Sequence, residues 1–146
     1  SWPNYKMFWL KRKQIPYDWV VLRINVETII QNKCLFYKTN AASPDSKKLG
    51  PGRIEGMFYD NGIRDQLHIE KFHTTDPQAE VLSFSRISPH WINEIYVNKL
   101  TKEVRSEFNH LERQNLLKLD DIGNRIKVTE DKTFFGPRKD FHFWKK

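Results

Sequence analysis

The stretch "QAEVL" (Gln78–Leu82) lies within the longer run "TTDPQAEVLSFSRI" (74–87), where a polar segment is followed by a more apolar one. Apolar and polar residues alternate after Glu80, which is typical of a strand. Side chains two residues apart in a strand point to the same face, so Gln78 and Glu80 are expected to project together. A carboxylate beside an amide offers directional hydrogen bonds to a polyhydroxyl substrate. The alternative is an edge-strand glutamate with its charge in water, and the pattern alone favours it.

The chain around this stretch predicts one α+β domain with a mixed central sheet and flanking helices. Four strands are expected in that sheet, at 18–24, 34–37, 79–85 and 94–97. The clearest helix is predicted at 101–117, with Thr101 as its N-cap. Segments 38–52 and 61–78 are rich in turn residues and are predicted to be loops, the second of them exposed. Residues 132–135, "KTFF", are predicted to form a late strand.

Positive charge is concentrated at the two ends of the chain. The 146 residues carry 25 Lys and Arg against 18 Asp and Glu, a net charge of +7. The end segments "KMFWLKRK" (6–13) and "GPRKDFHFWKK" (136–146) interleave cations with aromatic rings. Single-stranded nucleic acid is bound by such combinations, because cations follow the phosphates and rings stack on bases. The alternative is a solvated basic surface above core aromatics, and the composition does not decide between them.

Several classes of protein are disfavoured by composition. One cysteine, Cys34, leaves no internal disulfide and argues against a cysteine-based zinc site. No stretch approaches the 18 or so apolar residues that a membrane-spanning helix needs, so no membrane partner is expected. The sequence opens without a secretory signal pattern, so a cytoplasmic site of action is expected.

Three ordered segments resemble a known family. These are "DWVVLRI", "CLFYKTNAAS" and "TTDPQAEVLSFSRISPHWINEIYV". In this order they resemble the DNA ADP-ribosyltransferase toxins of the DarT type. The resemblance implies an ADP-ribosyltransferase-like fold and an enzyme that cleaves the nicotinamide–ribose bond of NAD. It further implies transfer of ADP-ribose to a base of single-stranded DNA or RNA, a toxin or phage-defence setting, and an antitoxin or immunity protein as partner.

The resemblance also implies roles for individual residues. Glu80 corresponds to the catalytic glutamate, and Gln78 helps to position the acceptor. The loop before Glu80 corresponds to the acceptor-binding loop, so substrate contacts are expected from Arg53, Arg64, Lys71, His73 and Thr74. Cofactor contacts are expected from Thr39, Asn40 and Met7. For Asn40 a capping turn that satisfies nearby backbone is an equally good interpretation.

The chain departs from the family pattern near its start. Asn4 falls where the family has an Arg that grips the cofactor phosphates, and the family's first strand is missing. Residues 1–146 are therefore expected to be a single domain that is truncated at its N-terminal side, divergent, or built differently around the cofactor. Arg138 in "FFGPRKDF" is a candidate replacement for the Arg.

Two other functions remain open on the sequence alone. A metal-dependent nuclease could use the carboxylates of Asp120, Asp121 and Glu130 together with Lys132. A non-catalytic single-strand binder would need only the basic and aromatic ends. The favoured interpretation, an NAD-dependent ADP-ribosyltransferase, needs no metal.

Overall fold

The computed structural model describes residues 3–15, 18–114 and 126–144, without the side chain of Tyr5. The contacts divide the chain into two compact units. The Glu80 unit comprises the described residues of 1–17, 34–83 and 136–146. The three-stranded unit comprises those of 18–33 and 84–135. Among the described residues no helix is long and apolar enough to cross a membrane.

The three-stranded unit is built around a mixed sheet. Its strands are β1 (Val20–Ile24), β4 (Ile92–Val97) and β5 (Lys127–Glu130), and its helices are α2 (Glu27–Gln31) and α5 (Lys102–Arg113). The central strand β4 pairs antiparallel with β1 and parallel with β5. Ile95 and Val97 of β4 are buried together with Ile126 and Phe135. The core of this unit therefore lies along its central strand.

The Glu80 unit contains a second, smaller sheet. Strands β2 (Cys34–Tyr37) and β3 (Glu80–Ser83) pair antiparallel, with Tyr37 opposite Glu80. The helices of this unit are α1 (Tyr5–Gln14), α3 (Pro44–Leu49) and α4 (Asn61–Gln66). Single 3₁₀ turns occur at Ile54–Phe58 and Phe141–Trp144. The α+β class with a mixed sheet is confirmed, but the four predicted strands do not share one sheet in the described structure, since β2 and β3 pair only with each other.

Three local predictions were wrong. The segments predicted as loops contain α3 and α4, each stabilised by a side-chain cap at its start. Ser43 accepts a hydrogen bond from the Ser46 amide, with a proline at the next position. Asp60, in the left-handed region at φ 56°, accepts one from the Ile63 amide. Residues Lys132–Phe135 form a 3₁₀ turn, not a strand, after the Asp131 carboxylate accepts from the Thr133 amide.

The strongest helix prediction is confirmed. Thr101 caps α5 by accepting a hydrogen bond from the Val104 amide at 3.2 Å. The helix ends at Arg113, with Gln114 at its C-cap, and the predicted remainder at 115–117 lies outside the described residues.

Candidate active site

Glu80 is held by two donors from distant parts of the sequence. Its Oε1 accepts a hydrogen bond from Asn4 Nδ2 at 2.7 Å, and its Oε2 accepts one from the Ala41 amide at 2.8 Å. The carboxylate is half-buried at the first position of β3. The "TNAAS" and "QAEVL" segments thus meet at one carboxylate, with the residue before α1 as the third partner.

Asn4 has a second function in the same place. Its Oδ1 accepts a hydrogen bond from the Met7 amide at 3.3 Å, which caps the N-terminus of α1. Because one amide group both caps α1 and donates to Glu80, the start of this helix is tied to the carboxylate. Sequence reasoning placed Asn4 where the family has an Arg, but it did not anticipate this contact. The only signal was an Asn directly before a helix-compatible stretch.

The Asn40–Ser43 segment forms a turn that presents its backbone to Glu80. Asn40 Oδ1 accepts from the Ala42 amide at 2.8 Å, and the Asn40 carbonyl accepts from the Ser43 amide at 3.0 Å. Such side-chain-to-backbone bonds are what Asn contributes to tight turns. The capping interpretation of Asn40 is therefore observed, and the turn leaves the Ala41 amide aimed at the carboxylate.

Asp76 organises the residues that precede Glu80. It is buried and its Oδ1 accepts from the Gln78 amide at 2.7 Å, while the Thr39 hydroxyl also bonds to the carboxylate. Burial raises the pKa of Asp76, against the opposing effects of these two hydrogen bonds and of the Arg138 charge. Sequence reasoning missed Asp76, although an Asp-Pro pair is a recognisable turn signal.

Gln78 occupies a different local structure from the one predicted. It lies in a turn closed by the carboxylate of Asp76, and the strand begins only at Glu80. Strand alternation therefore does not set the relative orientation of the Gln78 and Glu80 side chains. The difference arises because the Asp76 side chain competes for the Gln78 amide, which a strand would otherwise use in its ladder.

Two buried guanidinium groups fix the loop that leads to Glu80. Arg64 donates to Thr75 Oγ1 at 3.2 Å and to three backbone carbonyls, those of Glu70, Lys71 and His73. Arg138 donates to the carbonyls of Thr74 and Thr75. The residues Thr74–Pro77 are buried, so the predicted exposed loop is exposed only in its earlier part.

The predicted substrate residues consequently divide into two groups. Arg64 and Thr74 are buried, and the Thr74 hydroxyl donates to the Asp76 carbonyl at 2.9 Å. Arg53 and Lys71 are exposed, and the Arg53 side chain lies 3.4 Å from the Glu55 carboxylate. His73 is half-buried beside the Phe72 ring, and burial followed by the Arg138 charge lowers its pKa. Only Arg53, Lys71 and His73 are placed to meet a ligand from solvent.

The candidate replacement for the family's Arg is already engaged. Arg138 forms an ion pair with Asp140, with Nε and Oδ1 2.6 Å apart and both side chains 6% exposed. Since its guanidinium also bonds to the carbonyls of Thr74 and Thr75, Arg138 acts as an internal support of the loop. This placement does not support a role for Arg138 in binding the phosphates of the cofactor.

A cleft of about 480 Å³ lies between α1 and the Asn40–Ser43 turn. Its lining contains Met7, Asn40 and Gln78 from the predicted site, and in addition Lys6, Leu10, Lys11, Gln14, Ala42 and Ser43. The size is within the range of about 300–1,000 Å³ that is common for small-molecule sites. The two residues that donate to Glu80 are close in sequence to residues that line the cleft. Ala41 lies between Asn40 and Ala42, and Asn4 caps α1, which supplies five of the lining residues.

The metal-nuclease alternative finds little support in the described residues. Asp120 and Asp121 lie outside them. Glu130 accepts a hydrogen bond from the Leu100 amide at 2.9 Å, which links the end of β5 to the segment after β4. Within 3–15, 18–114 and 126–144, no group of three or more His, Cys, Asp or Glu side chains is arranged to hold a metal ion.

A match to a known family identifies the chain. The model of the DarT family, described as ssDNA thymidine ADP-ribosyltransferase, matches residues 1–121 of the 146. A search of curated proteins found no match to the chain. Since the match covers most of the chain and includes Asn4, the "TNAAS" turn and Glu80, the protein belongs to the DarT family of NAD-dependent ADP-ribosyltransferases that act on single-stranded DNA.

Proposed function

We propose that this protein transfers ADP-ribose from NAD to thymidine in single-stranded DNA, with Glu80 as the catalytic carboxylate. The observation that carries the proposal is the pair of hydrogen bonds that Asn4 and the Ala41 amide make to the two oxygens of Glu80. They fix the orientation of the carboxylate two residues after Gln78, which lines a cleft of a size that suits a small ligand. A catalytic group gains most from such preorganisation, because no reorganisation is needed as charge develops.

Glu80 retains the acceptor capacity that the reaction requires. Each carboxylate oxygen has two lone pairs, and each here accepts one hydrogen bond from the protein. As the nicotinamide–ribose bond breaks, its electron pair leaves with nicotinamide and positive charge develops on the ribose ring. Glu80 stabilises that charge through a ribose hydroxyl. The base then forms the new bond to the ribose carbon, and Glu80 accepts the proton that the base releases.

The chemistry of the cleft suits NAD as substrate. Lys6 and Lys11 supply positive charge for the pyrophosphate, while Met7 and Leu10 supply apolar surface for a ring. Among the polar lining residues, Asn40 and Gln78 carry amides that can bond to ribose hydroxyls. We assign Thr39 an indirect contribution, since its hydroxyl holds Asp76, which in turn fixes Gln78.

The acceptor side is proposed to use the exposed members of the predicted set. Lys71 and Arg53 contact DNA phosphates, and His73 lies between them and Glu80 in the sequence. Gln78 helps to position the acceptor base. Arg64 and Thr74 contribute by shaping the loop. Both units are proposed to form one transferase domain, since the family match runs without interruption through segments of each.

The cellular setting is proposed from the family alone. We infer a toxin of the toxin–antitoxin or phage-defence type that acts in the cytoplasm and is neutralised by an antitoxin or immunity protein. Induced expression in a bacterial host is expected to arrest growth. Expression of Glu80→Gln at the same protein level is expected to leave growth normal, and equal arrest by both forms would contradict a toxicity that depends on transfer.

The direct test is transfer of ADP-ribose from radiolabelled NAD to a single-stranded oligonucleotide with one thymidine. Glu80→Gln removes the charge while keeping the shape, and we expect the rate to fall by about 100-fold or more. Glu107→Gln on α5 is the matched control, because it makes the same change at an exposed glutamate. The assay is run on the full-length natural protein, and thermal unfolding checks that both variants fold.

Two outcomes would overturn the assignment. One is a Glu80→Gln rate within tenfold of the parent rate. The other is equal labelling of an oligonucleotide in which the thymidine is replaced by another nucleotide, which would refute thymidine as acceptor while leaving the role of Glu80 intact. Gln78→Ala is expected to lower the rate less than Glu80→Gln and to relax the choice of acceptor base.

A further inference from the structure

Helix α1 is the most cationic element of the Glu80 unit. The sequence Tyr5–Gln14 contains four cations and no acidic residue. Three of them, Lys11, Arg12 and Lys13, lie in the last turn. No acidic side chain on the helix itself offsets this charge, so α1 presents a local positive field to any polyanion.

The residues of α1 are distributed over two opposite faces. Those lining the cleft are Lys6, Met7, Leu10, Lys11 and Gln14. Their spacing of one, three and four residues places them on one side of a helix with 3.6 residues per turn. The remaining side, which we name the aromatic face of α1, consists of Phe8, Trp9, Arg12 and Lys13. Ligand binding in the cleft therefore leaves Trp9 and Lys13, the exposed residues of this face, accessible on the same helix, while Phe8 and Arg12 are half-buried.

The aromatic face pairs each ring with a cation one turn later. Lys13 Nζ lies 3.9 Å from the centre of the Trp9 ring, and Arg12 Cζ lies 5.3 Å from the centre of the Phe8 ring. Trp9 is 40% exposed and Lys13 is exposed. A cation over one face of the indole leaves the opposite face for stacking.

We propose that the aromatic face of α1 binds the single-stranded DNA substrate, with a base stacked on Trp9 and neighbouring phosphates on Arg12 and Lys13. The inference rests on the proposed function and extends it to the path of the strand. Stacking on an aromatic ring beside phosphate-binding cations is how proteins hold single strands without reading their sequence. The positive charge of α1 complements the strand and disfavours a basic protein as occupant.

The position of Trp9 along α1 places the stacked base near the acceptor nucleotide. Trp9 lies five residues after Asn4, which corresponds to about 7.5 Å along the helix axis at a rise of about 1.5 Å per residue. Asn4 donates to Glu80, where transfer is proposed to occur. The stacked base is therefore a neighbour of the acceptor nucleotide, and α1 holds the strand beside the reaction centre.

The test measures binding of a fluorescein-labelled oligothymidylate by fluorescence anisotropy, with no NAD present. Trp9→Ala is expected to raise Kd at least about fivefold, since stacking is worth roughly 1–3 kcal/mol per base. Trp9→Phe keeps a ring and should restore most of the affinity. The double variant Arg12→Ser/Lys13→Ser should lower the slope of log K against log salt by about 1.4, because each phosphate contact contributes roughly 0.7.

Lys132→Ser is the matched control for charge, because Lys132 is an exposed lysine in the three-stranded unit. It should leave the salt slope within about 0.7 of the parent value, the contribution of a single phosphate contact. Equal affinities of Trp9→Ala and the parent, or a parent that binds no oligonucleotide at low salt, would overturn the proposal. Failure of the proposed function can be told apart from failure of this proposal. The transfer assay with Glu80→Gln tests the function, whereas the binding assay contains no NAD and its result does not depend on transfer.

Discussion

The two ends of the chain both combine cations with aromatic rings, but they differ in structure. On α1, the cations Arg12 and Lys13 lie over the rings of Phe8 and Trp9, and Trp9 and Lys13 are exposed. In the segment Gly136–Trp144 the central cation is buried instead. There Arg138 is bonded to Asp140 and to the carbonyls of the loop before Glu80.

One acidic residue accounts for much of the difference. Asp140 accepts two hydrogen bonds from Arg138 and a third from Trp144 Nε1 at 2.8 Å. A guanidinium with a bidentate carboxylate partner can be buried, whereas an unpaired cation cannot. Helix α1 itself contains no carboxylate, and its cations Lys6, Lys11 and Lys13 are exposed. A basic, aromatic segment therefore does not predict a nucleic-acid surface where a carboxylate within the segment pairs with its central cation.

The largest effect is expected when the buried pair is broken. Arg138→Ala leaves Asp140 without its ion-pair partner and two carbonyls without donors. We expect a loss of about 3–5 kcal/mol in the free energy of unfolding, the usual result for one partner of a buried pair. Urea denaturation followed by circular dichroism measures it.

The corresponding change on α1 is the control. Lys13→Ala should alter the free energy of unfolding by no more than about 0.5 kcal/mol, as for most surface substitutions. If the two variants were destabilised equally, the proposed division between a buried anchor and an exposed binding face would be wrong.

A smaller effect is expected at Asn4, where α1 meets Glu80. Asn4→Ala removes the helix cap, which typically costs about 1 kcal/mol of stability. It also removes the hydrogen bond to Glu80, so the transfer rate should fall about tenfold, as expected for a bond to a charged group worth roughly 1.5–3 kcal/mol. Steady-state kinetics should show the loss mainly in kcat, because Asn4 acts by positioning Glu80.

Asn4→Asp separates the two contributions of Asn4. A carboxylate still caps the helix, so the contribution of the cap to stability should be kept, and any remaining loss of stability should come from repulsion by Glu80. It has no N–H to donate and places a second negative charge beside Glu80, so transfer should remain low. Recovery of the parent rate in this variant would show that the cap, and not the contact with Glu80, matters for activity.

The smallest effect is a pH dependence confined to the C-terminal segment. Burial alone would raise the pKa of Asp140, but hydrogen bonds from Arg138 and Trp144 and the Arg138 charge lower it. A lowered pKa in the folded state contributes stability above the ordinary Asp value of about 3.9, and this contribution is lost as the pH falls through the folded value. The difference in unfolding free energy between the parent and Asp140→Asn should therefore shrink as the pH falls below about 4.

Urea denaturation at a series of acidic and neutral pH values measures this difference. Lys13→Ala provides the comparison from α1, since lysine stays charged throughout this range and its variant should show a constant offset from the parent protein. A difference for Asp140→Asn that is the same at every pH would contradict the pKa shift of Asp140.

Several features of the site could be predicted from local sequence. The strand at 34–37 and the cap at Thr101 follow from propensity and spacing, and both are observed. The ordered segments that include "TNAAS" and "QAEVL" resemble the DarT family, and the family match over residues 1–121 confirms that resemblance. The turn signals of Ser43-Pro44 and Asp76-Pro77 were also present in the sequence. Both segments were nevertheless predicted to be loops, because turn-forming residues cap short helices as readily as they form loops.

The sequence by itself determined the family, and its ordered local motifs also supplied Glu80 as the proposed catalytic carboxylate. Only the tertiary structure decided which groups surround that carboxylate. Asn4 and Glu80 are 76 residues apart, and Ala41 and Glu80 are 39 apart, so neither contact leaves a periodic trace in the sequence. The same holds for Arg138, whose burial depends on carbonyls more than 60 residues away. The physical reason is that propensity acts over a few neighbouring residues, whereas burial and hydrogen-bond satisfaction are settled by whichever distant groups the fold brings together.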